Sequence, residues 1–339
     1  MAAAKAWLWA TAGLTTCALV TVIALAPPAG AAPVRALSWL LFTGSSVHVA
    51  STGWLFTLPE IRDYARQHRI RCAWIPIGLI AVSAMAAALV RPAAFQWLLL
   101  PYFCWQFFHY QKQNVGMAAL AAAASGIPSP GQTERRSLLA AGLATIGALA
   151  ADPRLLGLHV GLRIPWLRPA SAAMFAIAVL AGTVALAARP APARPVGFSV
   201  VYLTSLLFGL PAFVFASPYA AVGGMTVAHG LQYLLLISLI AGGDGGSSRL
   251  ARIALLANVA LIGGALLSAA SHLHNSAAFG RLIFGAYLGL VMAHFVIDAG
   301  IWRLRDPLAR KFVTESLPFL LPTRAPVTDR SSTDIGCAS

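Results

Sequence analysis

The stretch 253-IALLANVALIGGALLSAAS-271 runs for nineteen residues without an ionisable side chain. At 1.5 Å per residue a helix of that length covers about 29 Å, close to the ~30 Å hydrocarbon core of a bilayer. Its Leu, Ala, Val and Gly residues show no alternation of apolar and polar positions, so the run reads as a helix and not as a barrel strand. Similar runs recur near 6–26, 36–58, 72–90, 94–112, 137–151, 170–188, 197–216, 220–241 and 281–302, and together they predict about ten transmembrane helices. The run at 137–151 is short for a span, which suggests an earlier start. Pro27-Pro28, Pro92, Asp152-Pro153, Pro190 to Pro195 and Gly242-Gly243-Asp244-Gly245-Gly246 break the chain between runs.

Composition agrees with this map. The 339 residues are 59% hydrophobic and 10% charged, with a mean hydropathy of +0.76, which is more apolar surface than one water-soluble core hides. The expected fold class is an all-α, polytopic integral membrane helix bundle with the lipid bilayer as its solvent. Residues 1–306 read as one transmembrane domain, with no repeat of the first spans in the last ones. In 307–339, Phe312, Leu317, Phe319 and Leu320 stand beside Arg310 and Lys311, which predicts a cytoplasmic interfacial helix followed by a disordered tail.

The net charge of +14 raises the question of nucleic acid. Lys and Arg are scattered through short loops with no basic-patch motif, so no nucleic-acid partner is expected. Eighteen of the 24 fall in one set of alternate loops, among them Arg62, Arg66, Arg69, Arg71, Arg135, Arg136, Arg303 and Arg305. The other set holds Arg35, Arg91, Arg154, Arg163, Arg168 and Arg281. This asymmetry predicts a multi-pass protein of the cell membrane with both termini cytoplasmic. Lys5 ahead of an apolar run that ends in Ala29-Gly30-Ala31-Ala32 also fits a signal peptide, but the run exceeds the 7 to 15 residues usual for one, so a retained helix is expected. Cys17, Cys72, Cys104 and Cys337 lack metal-knuckle spacing.

An ionisable side chain inside a span costs about 2.5 kcal/mol or more and marks a candidate functional group. Asp298 is the acidic residue that falls within an expected span, and His48, His109, His229 and His294 are the histidines that do. His68, His159, His272 and His274 fall in loops or at helix ends, where solvent satisfies them. His294 and Asp298 are four residues apart and share a helix face. A carboxylate on one imidazole nitrogen fixes the tautomer and frees the other nitrogen for a metal or a proton. The alternative is that Asp298 pairs with Arg303 or Arg305. Gln106 and Gln113 share the face of His109, Gln232 follows His229, and Ser45, Ser46, Ser51 and Thr52 surround His48, ready to bond its ring or a neighbouring helix. Each histidine alone is compatible with core packing. Four of them on four helices, with a carboxylate, make a set suited to iron, copper, zinc or manganese.

Three motifs carry a resemblance: His-Tyr-x-x-Gln-Asn-x-Gly at 109–116, His-x-x-Gln-Tyr-Leu at 229–234 and His-Phe-x-x-Asp-x-x-Ile-Trp-Arg at 294–303. They resemble bacterial multi-helix membrane proteins with single histidines on several helices. More distantly, the pattern is similar to the membrane carotene dioxygenases, which place histidines on separate spans around iron, and to membrane enzymes of azoxy natural-product pathways. The clustered His motifs of membrane desaturases, HxxxH and HxxHH, are absent. The residues and the resemblance together lead to the expectation of a membrane metal-dependent oxidoreductase with His48, His109, His229 and His294 as metal ligands, iron favoured, and Asp298 as the catalytic carboxylate, either a ligand itself or a partner of one. Its expected substrate is a lipophilic or amphipathic small molecule, in specialised metabolism that includes nitrogen–nitrogen bond formation. A proton- or ion-coupled transporter, or a structural assembly factor, are the alternatives.

Overall fold

The computed structural model describes residues 2–28, 31–162, 164–243 and 249–321, and no strand occurs among them. The tail expected to be disordered, with Cys337, and parts of the breakers at 29–30 and 244–248 lie outside the described residues. The helices are α1 (Ala2–Leu25), α2 (Arg35–Phe42), α3 (His48–Leu55), α4 (Pro59–Gln67), α5 (Ile75–Leu89), α6 (Pro92–Ala124) and α7 (Gln132–Ala151). They are followed by α8 (Leu167–Ala187), α9 (Val196–Leu206), α10 (Pro211–Val214), α11 (Gly224–Ala241), α12 (Arg249–Ser271), α13 (Ala278–Ile301) and α14 (Pro307–Ser316). Wide π turns at Thr43–Val47, Ile70–Trp74 and Tyr219–Gly223 lead directly into α3, α5 and α11.

Six helical segments are long and apolar enough to cross a bilayer: Ala2–Leu25, Ile70–Leu89, Leu167–Ala187, Tyr219–Ala241, Arg249–Asn275 and Ala278–Ile301. The chain therefore has the build of a multi-pass membrane protein. The other four expected spans take different forms. The run 36–58 is the α2–α3 rod, interrupted by its π turn. The run 94–112 is the first part of α6, which continues to Ala124 through Gln113 and Asn114. The run 137–151 begins earlier, at Gln132, with Glu134, Arg135 and Arg136 in its first turns. The run 197–216 divides between α9 and α10, where Pro211 starts a new turn. In the first two, hydropathy is lowered by polar side chains that point into the protein, since His48, His109, Gln111 and Asn114 are buried; in the third, exposed Arg135 and Arg136 lower it together with buried Glu134.

Helix approach is set by glycine. A Cβ on Gly44 would run into the backbone of Val227, and one on Gly230 into the backbone of Gly44. The α2–α3 rod and α11 thus cross backbone to backbone, the contact that small residues permit in lipid. Gly285 and Gly289 do the same for α13 against the backbone of Leu79 to Ala84 on α5. The helix α1 packs Trp7, Leu8 and Val22 into the interior, with α9 and α11 beside it.

The helix α14 lies where an amphipathic helix is expected, but it is packed on the bundle. Ala309, Phe312, Val313, Leu317 and Leu320 join the same apolar cluster as Ile61 and Tyr64 of α4. Asp306 caps it, accepting from the Leu308 and Ala309 amides.

Candidate metal centre

The four histidines expected within spans arrive at one place from four helices. His48 is the first residue of α3, His109 lies in the middle of α6, His229 is on α11, and His294 is on α13 one turn before Asp298. The exposures of His48, His109, His229, His294 and Asp298 are 3, 9, 0, 2 and 4%. Their position follows from packing described above: His48 stands one turn after Gly44, and His229 directly before Gly230, so the glycine crossing drives these two rings together.

Neighbouring rings form a closed quadrilateral. Centroids are 5.0 Å apart for His48–His229, 5.0 Å for His229–His109, 5.3 Å for His109–His294 and 5.1 Å for His294–His48. Two imidazoles whose nitrogens share one ion at about 2.1 Å put their centroids about 5 Å apart, a spacing that each neighbouring pair matches. Ligand atoms of His48, His229 and His294 lie within 4.8 Å of one another, as do those of His109, His294 and Asp298. Both nitrogens of His48 and of His229, and Nε2 of His109 and His294, are buried without a hydrogen-bond partner. Buried polar atoms normally have partners, so unpartnered nitrogens on four clustered imidazoles, one ligand atom from each of His48, His229 and His294 lying within 4.8 Å of the others, fit a cation site.

Hydrogen bonds around His294 fix its tautomer. Thr52 Oγ1 is 2.7 Å from His294 Nδ1 and 2.8 Å from the Tyr233 hydroxyl, which donates to Asp298 Oδ1 at 3.1 Å. Each hydroxyl has one proton to give. Tyr233 gives its proton to Asp298, Thr52 gives its proton to Tyr233, and His294 must then donate from Nδ1 to Thr52. His294 Nε2 keeps its lone pair, 3.5 Å from Asp298 Oδ2. A lone pair opposite a carboxylate oxygen is repulsive unless a proton on the carboxyl or a cation lies between them, so the pair suits either a shared proton or a metal.

Two expectations are corrected here. Thr52, not Asp298, holds the far nitrogen of His294, and the carboxylate stands on the ligand side of the ring. The partners of Asp298 are Tyr233 and His294, and neither Arg303 nor Arg305 forms an ion pair with it among the described residues. The expectation for Thr52 holds in its second form, a bond to a neighbouring helix.

The polar residues near His109 and His229 form a supporting network. Gln113 Nε2 donates to the His229 carbonyl and to Gln232 Oε1, and Gln232 Nε2 donates to Thr15 of α1. Gln106 donates to the Tyr110 hydroxyl. Sequence reasoning missed the aromatic walls: Tyr110 stacks on His229 at 4.1 Å and Phe295 on His109 at 4.5 Å. It missed Tyr233 as well, although Tyr233 stands one turn after His229, a spacing that signals a shared face.

The loop histidines stay outside the centre, but His68 is not merely solvated. It stacks on Tyr64 at 4.1 Å, and its Nε2 is 3.2 Å from Asp306 Oδ2. Burial pushes the Tyr64 hydroxyl up from its usual pKa, against the hydrogen bond and charge of Arg71.

Thr52→Val removes the acceptor from His294 Nδ1 at nearly constant volume. Metal affinity is expected to fall about 10- to 100-fold, the range for losing a partner that orients a ligand. Titration with metal in detergent checks it, and an unchanged affinity would refute the tautomer assignment.

No protein-family model, curated protein or solved structure matches this chain.

Proposed function

We propose that the chain is a membrane-embedded, metal-dependent redox enzyme acting on a lipophilic or amphipathic small molecule, with nitrogen–nitrogen bond formation in specialised metabolism as one chemistry within its reach. The observation that carries this reading is the closed ring of four buried imidazoles whose free nitrogens face one another. His48, His109, His229 and His294 would hold the ion, with Asp298 beside His294 as a fifth oxygen donor. Neutral nitrogen ligands with one carboxylate suit iron, copper, zinc or manganese. Iron is favoured by the redox reading and by the resemblance to membrane carotene dioxygenases. When bound, such an ion supplies one-electron chemistry and a Lewis-acidic position in a water-poor interior.

The chain's own residues supply orientation and proton handling. Thr52 holds the His294 ring, and the string His294–Thr52–Tyr233–Asp298 offers a buried route along which a proton moves between an imidazole and a carboxylate. That same string favours a second reading, a proton-coupled carrier in which His294 and Asp298 take up and release the coupled proton. In either reading we place about ten crossings in the cell membrane, with the α2–α3 rod, α6, α7 and the α9–α10 segment completing the six apolar spans, and both termini cytoplasmic.

Elemental analysis of the detergent-purified protein, before and after incubation with ferrous iron, tests the metal reading. Close to one ion per chain is expected, unchanged in His159→Gln. His68→Gln is expected to keep the ion while lowering thermal stability, because it frees Asp306 and uncovers Tyr64. Wild-type protein that holds no transition metal in either preparation would remove the enzyme reading and leave the carrier.

A further inference from the structure

Away from the histidines, the turn between α3 and α5 carries a second built feature. Phe56, Arg62, Ala65, Arg66 and Arg69 line an open cleft of about 300 Å³. Arg62 and Arg66, four residues apart, stand on one side of α4, while Ile61 and Tyr64 are buried; Arg69 follows the break at His68 and lines the same cleft. Arg66 has an acidic neighbour in Asp63, in a pair whose side chains are 70 and 61% exposed, so the cleft remains strongly cationic.

The cleft's depth in the membrane follows from its neighbours. The α2–α3 rod ends at Leu55, and the next apolar span begins at Ile70. The arginines therefore lie at the level of lipid headgroups. Below them the surface turns apolar and open: Ile70, Trp74 and Ile77 are 71, 66 and 55% exposed, at steps of four and three along the start of the span. An exposed Trp at this depth is the usual anchor of a membrane–water boundary. Guanidinium groups above, an aromatic ring at the boundary and an apolar face below follow the order of parts in one phospholipid.

We infer that this cleft binds an anionic phospholipid, its phosphate held by Arg62, Arg66 and Arg69 and its acyl chains lying along Ile70, Trp74 and Ile77. Arginine's planar fork matches phosphate oxygens in pairs. The net negative charge of a phosphatidylglycerol-type headgroup meets the cationic cleft, whereas a zwitterionic headgroup brings its own cation into it. Free inorganic phosphate shares the anion chemistry but lacks the chains.

Thermal unfolding of the purified full chain in detergent is measured with added phosphatidylglycerol, phosphatidylcholine or inorganic phosphate. The lipid bound after purification is identified by mass spectrometry, and metal content is recorded on the same samples. Stabilisation by phosphatidylglycerol alone is expected. The triple variant Arg62→Gln, Arg66→Gln, Arg69→Gln is expected to bind that lipid roughly 100-fold more weakly, the loss expected when three cations leave an anionic surface. A double variant on another loop, Arg135→Gln with Arg136→Gln, is expected to respond as wild type. Equal stabilisation by phosphatidylcholine or by inorganic phosphate would overturn the inference, as would a triple variant that keeps the full response. Because metal content is read separately, failure here is distinct from failure of the metal centre.

Discussion

His294→Ala is expected to abolish metal retention, the largest single effect at the centre. His294 belongs to both ligand groupings, with His48 and His229 on one side and with His109 and Asp298 on the other. Removing it takes away the one residue shared by both, leaves Asp298 without its imidazole neighbour, and cuts the hydrogen-bond string at Thr52. Asp298→Asn keeps the shape and the acceptor for Tyr233 but removes the charge beside Nε2, so affinity is expected to drop about 10- to 100-fold. Adding Asp298→Asn to His294→Ala is expected to cost little more, because residues that act as a unit are not additive. Bound metal and thermal unfolding in the two single variants and the double variant decide the matter. Unchanged metal in all three would sink the proposed centre. Intact metal in Asp298→Asn alone would reduce the carboxylate to a partner of Tyr233.

The second large effect lies outside the ligands. Gly230→Ala would place a methyl group against the carbonyl and Cα of Gly44, backbone atoms that cannot rotate away. The α2–α3 rod must then move off α11, and overpacking of this kind costs about 1–3 kcal/mol. The same movement separates His48 from His229, so metal should be lost together with stability. Gly78→Ala is the matched control, since nothing lies within 4 Å of a Cβ there, and relief of glycine's backbone entropy favours it by roughly 0.5–1 kcal/mol. Opposite signs in the two melting shifts are expected. A Gly230→Ala protein with wild-type melting and metal content would show that the crossing is slack and that glycine does not set the ring spacing.

The five candidate residues were legible from sequence for one physical reason. A histidine or aspartate inside an apolar run has a solvation cost that composition alone reveals, and His48, His109, His229, His294 and Asp298 all carry it. Thr52, Tyr110 and Tyr233 do not. Threonine and tyrosine sit in spans at little cost, so nothing in their local sequence distinguishes a wall of the centre from an ordinary lining, and only the fold places Thr52 and Tyr233 in one string. The boundaries of α6 were hidden by the same ambiguity turned round. Gln111, Gln113 and Asn114 read as the edge of a membrane run, yet the helix continues past them because their polar groups face protein and not water. His68 was misjudged because Asp306, more than two hundred residues away in the chain, supplies the contact that solvent was expected to make.

The π turns before α3 and α11 have a consequence of phase. Each α-helical residue advances the helix by about 100°, and a wide turn accommodates one residue more than an α turn does. Leu37 before the turn and His48 after it are both buried. Deleting one residue between Thr43 and Val47 would turn the wide turn into an ordinary α turn and keep His48 in phase. Adding one residue there would leave the segment's hydropathy almost untouched, yet it would swing His48 about 100° away from His229. Hydrophobic content adds up over a segment without regard to order, and membrane insertion reads that sum. The metal centre reads angle, so a chain with such an added residue would keep its hydrophobic sum and yet be blind at its centre.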